Sequence, residues 1–123
     1  MQKNLAAFLY VRGLVPEDAD WDSILITSDR VRTSLCKLVE DLNSVTDDWT
    51  EEQIQSVFYE AGKLYFTDRL RWWFEVLYQV LLSEQQGPRL GQFTKLMSAY
   101  WMQDRINRVL ADYWQPQEMS HDH

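Results

Sequence analysis

The sequence predicts an all-α protein, a single helical bundle of about five to six helices, and three observations carry that expectation. Apolar residues recur at helical spacing in several windows, while no alternating apolar–polar run bounded by hairpin turns appears. Gly and Pro are scarce, at 4 and 3 residues, so the chain has few breakers. At 123 residues the length fits one domain, and a 46% hydrophobic, 14% aromatic composition with six Trp supplies a real core. The expected organisation is one helical domain over 1–114 and a disordered tail over 115–123.

The elements follow in order. Asn4 to Arg12 reads as a short apolar helix ended near Gly13, and Val15 to Asp22 as an acidic, proline-containing connector. Ser28 is expected to cap the next helix, with Asp29 in its first turn complementing the dipole. Val31, Leu35, Leu38, Val39, Leu42 and Val45 share one face of it. Asp47 and Asp48 break the pattern, and Thr50 with Gln53 has the spacing of a capping box. Ile54, Val57, Phe58, Ala61 and Tyr65 then form the third stripe.

Thr67 is expected to cap a fourth helix reaching about Gln86. Leu70, Trp73, Val76, Leu77, Val80 and Leu81, with several neighbours, cover most of its circumference, leaving Arg71, Glu75 and Gln79 as a narrow polar stripe. That pattern predicts a central helix buried on several sides. Gly87 suits a left-handed residue after its end, and Pro88 suits the first turn of the next helix. A turn near Ser98 separates that helix from a last one over Met102 to Trp114.

Two residues of the stretch SEQQGPRLGQF, Ser83 to Phe93, are left over by this reading. A cation at Arg89 opposes the dipole at a helix start, and Gly91 in a first turn sacrifices about 1 kcal/mol relative to Ala. Gly91 either permits close helix packing or lets a ligand reach the backbone. Arg89 either pairs with an acid of a neighbouring helix or meets an anion.

Charge and chemistry narrow the function. The net charge is −7, which taken whole argues against nucleic acid. From Lys63 to Arg108, however, there are 7 bases and 4 acids, whereas the remainder carries 5 bases and 15 acids. This is the pattern of a basic patch on an acidic protein. Trp72 lies between Arg69 and Arg71, a combination that can stack a nucleobase unless the ring is packed beneath a neighbouring helix. The chain has no phosphate-binding P-loop, no GxGxxG, no HExxH and no CxxC. Its two histidines lie at positions 121 and 123, so Cys36 has no obvious base in the folded part. The acidic pairs at 47–48 and 51–52 lack calcium-loop spacing and read as capping charges. No catalytic residue, metal or cofactor is expected. The apolar run Trp72 to Leu82 is too short and polar for a bilayer, and neither a secretion signal nor a pairable second cysteine is visible, so a cytoplasmic setting and no membrane partner are expected.

A longer constellation adds to this reading. The run EEQIQSVFYEAGK, Glu51 to Lys63, is followed by WWFEVLYQVLLSEQQGPRLGQF, Trp72 to Phe93. Gln55, Tyr59, Gly62 and Lys63, then Leu81, Leu82, Gly87, Pro88, Arg89, Gly91 and Phe93, resemble in order and spacing the C-terminal anticodon-binding domain of class I lysyl-tRNA synthetases. Val31 to Leu42 is similar to the helix that precedes this block. The resemblance implies an α-helical cage that faces tRNA and, in the family, follows a Rossmann catalytic domain. By position it implies tRNA contacts at Arg89 and Lys95; Arg69 and Arg71 join them by charge alone, and Trp72 by its place between them. Three positions depart from the family: Ser83 and Ser98 stand where glycine is common, and Gln86 where a base is common. HIGH-like and KMSKS-like signatures are absent from these residues, so this chain is not expected to activate lysine.

Two readings therefore compete. One is a tRNA-binding module of anticodon-binding type. The other is a structural or interaction protein on the same scaffold that has lost RNA binding, paired as a homodimer or with a protein partner through aromatics such as Trp21, Trp101 and Trp114. An enzyme would need a titratable cluster, and the sequence offers none.

Overall fold

The computed structural model describes residues 4–113, and these form six α-helices and one short 3-10 turn without a strand. The helices are α1 (Leu5–Val11), α2 (Trp21–Leu42), α3 (Glu51–Gly62), α4 (Leu70–Leu82), α5 (Leu90–Met97) and α6 (Ala99–Tyr113), with the 3-10 turn Thr67–Arg69 leading into α4. The predicted fold class is the observed one. Trp114 and the tail over 115–123 lie outside the described residues.

Helix boundaries follow local chemistry. Asn4 caps α1 by accepting from the Ala7 N–H at 2.8 Å. The capping box of α3 is present in both directions: the Gln53 N–H donates to Thr50 Oγ1 at 3.1 Å, and the Thr50 N–H donates to Gln53 Oε1 at 2.8 Å. Asp20, not Ser28, caps α2, accepting from the Ser23 N–H at 2.9 Å. With Asp22 also in the first turn, two carboxylates complement the dipole a full two turns before Ser28. Ser28 is buried inside the helix, where its hydroxyl donates back to the Leu25 carbonyl at 2.9 Å.

The end of α4 also differs from the sequence reading. The helix stops at Leu82, and Ser83 takes the left-handed conformation (φ 57°, ψ 35°) expected of Gly87. The Ser83 N–H donates to the Gln79 carbonyl at 3.1 Å, which closes the last turn. Gly87 and Pro88 belong to the connection that follows, and Arg89 is the residue before α5. Ser98, at φ 98° and ψ 153°, forms the sharp turn between α5 and α6, and its hydroxyl accepts from the Trp101 N–H at 3.1 Å. α6 consequently begins at Ala99, a turn earlier than Met102.

The apolar circumference of α4 is covered in part rather than on almost every side. α6 packs on α1, α2, α4 and α5, whereas α4 packs on α3, α6 and the 3-10 turn. α4 still buries Trp73, Val76, Leu77, Val80 and Leu81, but it leaves Arg71 and Glu75 exposed and Phe74, Tyr78 and Gln79 half-buried. Its open side becomes the wall of a cleft. Trp73 is fully buried, stacks on Phe66 at 5.7 Å and donates from its indole to the Phe58 carbonyl at 2.9 Å. Gly62 makes this possible, since a Cβ there would overlap the Trp73 ring. Each such buried Leu, Val or Phe contributes about 1.5–3 kcal/mol of transfer free energy. α3 and α5 pack closely, with the Glu51 carbonyl where a Cβ on Gly91 would stand.

Candidate nucleic-acid interface

The open side of α4 faces the loop that ends α1. Gly13 takes a left-handed conformation at φ 71°, turning the chain out of α1, and the Leu14 N–H donates to the Leu9 carbonyl at 2.9 Å. The Trp72 indole donates to the Leu14 carbonyl at 2.7 Å and so ties this loop to α4 across 58 residues of sequence. Between the loop and α4 lies a cleft of about 370 Å³. Arg12, Gly13 and Leu14 line one side; Arg71, Phe74, Glu75, Tyr78 and Gln79 line the other. Gln85 and Gln86, from the connection after α4, close its end.

Two arginines, Arg12 and Arg71, line this cleft, and a third, Arg89, lies near its Tyr78. The Arg12 guanidinium lies 3.9 Å from the centroid of the Phe8 ring, a cation–π contact that fixes it at the mouth. Arg71 is exposed, and its side chain makes no hydrogen bond or ion pair with another described residue. The same holds for Arg89, so the expected alternative of a structural ion pair is not what the described residues show. Arg89 stands close enough to Tyr78 for its positive charge to pull the phenol pKa down against the larger upward effect of burial. The Tyr78 hydroxyl donates to the Pro88 carbonyl at 2.9 Å, which anchors the Gly87-Pro88-Arg89 segment to α4. A Cβ on Gly87 would stand 2.8 Å from Leu82 Cδ1 and 3.3 Å from the Tyr78 ring, so this glycine serves close packing.

The remaining sequence-predicted residues have partners of their own. Arg69 is exposed, and its guanidinium stands 4.8 Å from the centroid of Trp72 and 5.6 Å from that of Phe66. Trp72 is half-buried, tilted against Phe66 at 5.2 Å, with its donor already used by Leu14. It packs on Phe66 and holds the loop at Leu14. Lys95 turns to the connection between α2 and α3, where its ammonium donates to the Asp47 carbonyl at 3.2 Å and the Trp49 carbonyl at 2.8 Å. Gly91 settles against α3: its N–H donates to Gln55 Oε1 at 2.7 Å, and a Cβ would overlap the Glu51 carbonyl.

The sequence reading missed Arg12, Phe74, Tyr78 and Gln79. The signals were weak ones: a glycine directly after an arginine at the end of α1, and the polar stripe of α4 that contains Gln79. Among the described residues, no group of three or more His, Cys, Asp or Glu stands together as a metal site, and no helix is long and apolar enough to cross a membrane. Of the aromatics expected to mediate pairing, Trp21 is exposed at 48%, whereas Trp101 is half-buried with its ring edge-on to Phe93 at 5.5 Å.

The chain is similar to lysine--tRNA ligases. It is 38% identical over 74 residues to that of Rickettsia prowazekii, a match covering 60% of this chain and 14% of the ligase. It is 35% identical over 88 residues to that of Rickettsia massiliae, covering 72% of this chain and 17% of the ligase. The chain is thus homologous to part of lysine--tRNA ligase, and spans only a small fraction of the length of the curated relatives it matches. No family model matches the chain. No solved structure matches it significantly either.

Proposed function

We propose that this chain is a tRNA-binding helical module of the anticodon-binding type, lacking a catalytic core of its own. The observation that carries the reading is the homology to part of lysine--tRNA ligase over most of the helical bundle. The position of the arginines supports it. Arg71 and Arg89 are exposed cations without acidic partners among the described residues, on a protein whose net charge is −7. Such cations are available to phosphates, and neutralising phosphates releases counterions. Arg69 adds a further exposed cation beside Trp72, whose ring packs on Phe66 and whose donor is taken by Leu14. Lys95 uses two of its three ammonium donors on carbonyls of the α2–α3 connection, so its first role is to hold the fold.

The test is a tryptophan-fluorescence titration with total tRNA and then tRNA-Lys at about 50 and 200 mM salt. Saturable binding that weakens at the higher salt, and that Arg89→Ala reduces while the helical signal is unchanged, is the expected result. An absence of binding at the lower salt overturns the reading. The scaffold would then serve protein association, for which the 77% exposure of both Leu96 and Tyr100 is the favouring observation. In that case the mass of the particle would rise with concentration.

A further inference from the structure

The proposed module explains cations on a surface, but it does not explain the cleft behind them. Phosphate contacts need no cavity, and a bare anion site needs no aromatic wall. This cleft has both. Its volume of about 370 Å³ lies at the small end of the roughly 300–1,000 Å³ range of ligand sites. Its contents sort into three kinds of chemistry. Arg12 and Arg71 both line it and carry the positive charge that a phosphate requires. Phe74 and Tyr78 supply aromatic surface, and both are half-buried, so their rings are held by the bundle and are only partly covered. Glu75, Gln79 and Gln85 supply an acceptor and two amides, groups that can both donate to and accept from the edge of a base.

We infer that this cleft takes a single unstacked nucleotide, with its phosphate between Arg12 and Arg71, its base against Phe74 and Tyr78, and its edge read by Gln79 and Gln85. The inference rests on the RNA-binding reading and deepens it: the arginines position the backbone, and the cleft reads one base. Unstacked bases are what single-stranded loops offer to proteins, and recognition then uses aromatic faces and base edges together. The cleft is also built to hold shape. Trp72 pins the Arg12–Leu14 loop, Phe8 holds the Arg12 guanidinium, and the Tyr78 hydroxyl ties the connection after Gln85 and Gln86 to α4. Pre-formed walls reduce the ordering that binding requires.

The test separates the cleft from the wider surface. The full chain is titrated with the four nucleoside 5′-monophosphates and, separately, with ribose 5-phosphate, while side-chain NMR follows the arginine and glutamine signals. Saturable shifts of Arg71, Gln79 and Gln85 that differ among the bases, and that ribose 5-phosphate does not reproduce, are expected. In parallel, Gln79→Ala should weaken tRNA binding about threefold to tenfold with an unchanged salt slope, because a neutral side chain releases no counterion. Arg71→Ala should weaken it and lower the slope by about one. Equal shifts from ribose 5-phosphate, or none from any nucleotide, overturn the nucleotide cleft even if tRNA still binds. Specific nucleotide shifts without tRNA binding support the cleft and overturn the RNA module.

Discussion

The Gly91 N–H donates to the Gln55 side chain at 2.7 Å, and the α3 backbone lies directly over the glycine, with the Gln55 nitrogen 3.0 Å from where a Cβ would stand. The cost of a glycine in the first turn of α5 is therefore offset by the close approach of the α3 backbone that it permits. Gly91→Ala must push a methyl group into the Glu51 carbonyl, which is backbone and cannot rotate away. The expected loss is about 1–3 kcal/mol, the range for overpacking. Gln55→Ala removes only the hydrogen bond and should cost about 1 kcal/mol. Urea unfolding of both variants measures the difference, and a Gly91→Ala protein as stable as the parent would show that α3 and α5 are not locked at this point.

Ser83 and Ser98 are the non-glycine residues with positive φ among the described residues, at 57° and 98°. Both are positions where the resembling family commonly has glycine, and the backbone now gives the physical reason. The Ser98 conformation lies in a region that L residues occupy at a cost of about 1–3 kcal/mol. Ser98→Gly relieves it and loses the hydroxyl cap to the Trp101 N–H, which glycine replaces at a cost of a few tenths of a kcal/mol. A net gain of about 1 kcal/mol is expected, or roughly 3–6 °C in Tm. Ser83→Gly should gain a similar amount. A calorimetric scan decides it: a lower Tm for Ser98→Gly would mean that the cap outweighs the strain.

These serines also show what was legible in the sequence. Helical periodicity placed the six helices, and the Thr50–Gln53 capping box was found from spacing alone. Helix ends were misplaced where two caps competed. Ser28 and Asp20 both have capping side chains, and the choice falls to Asp20 because the following turn already packs Ile24 in the core. Gly87 looked like the left-handed residue, but the apolar stripe of α4 ends at Leu82, so the turn falls on Ser83. Within the candidate site, Arg71 and Arg89 were found by charge and by resemblance. Arg12 was not, because its proximity to α4 depends on a hydrogen bond between Trp72 and Leu14, and no local pattern announces a contact that long in sequence.

Arg89 and Lys95 make opposite predictions, although both were singled out as cations of one segment. Lys95 joins α5 to the carbonyls of Asp47 and Trp49, so Lys95→Ala should lower stability by about 1 kcal/mol. The exposed Arg89 side chain has no such partner, and Arg89→Ala should change stability by less than about 0.5 kcal/mol. Under the RNA reading the order inverts in binding: Arg89→Ala weakens tRNA affinity and lowers the salt slope by about one. Denaturation and a salt-dependent titration on the same two variants check both halves. Equal behaviour of the two lysine and arginine variants in both assays would contradict the assignment.

Tyr78 gives the bundle an alkaline limit. Burial raises its phenol above the usual 10.0, and the positive charge of Arg89 opposes that rise in part. A folded-state pKa above the unfolded one means that the folded protein holds the proton more tightly. The associated stability is complete below the unfolded value and is lost as the pH climbs through the folded value. Deprotonation would also place a charge where the hydroxyl now donates to the Pro88 carbonyl at 2.9 Å, releasing the Gly87–Arg89 segment from α4. Unfolding curves between about pH 9 and 11.5 should therefore fall more steeply for the parent than for Tyr78→Phe, which has no proton to lose. Arg89→Ala should move the parent's tyrosinate absorbance midpoint upward, because it removes the charge that favours the phenolate. A midpoint that stays in place would separate Arg89 from Tyr78 and dissolve the corner at which the proposed RNA surface begins.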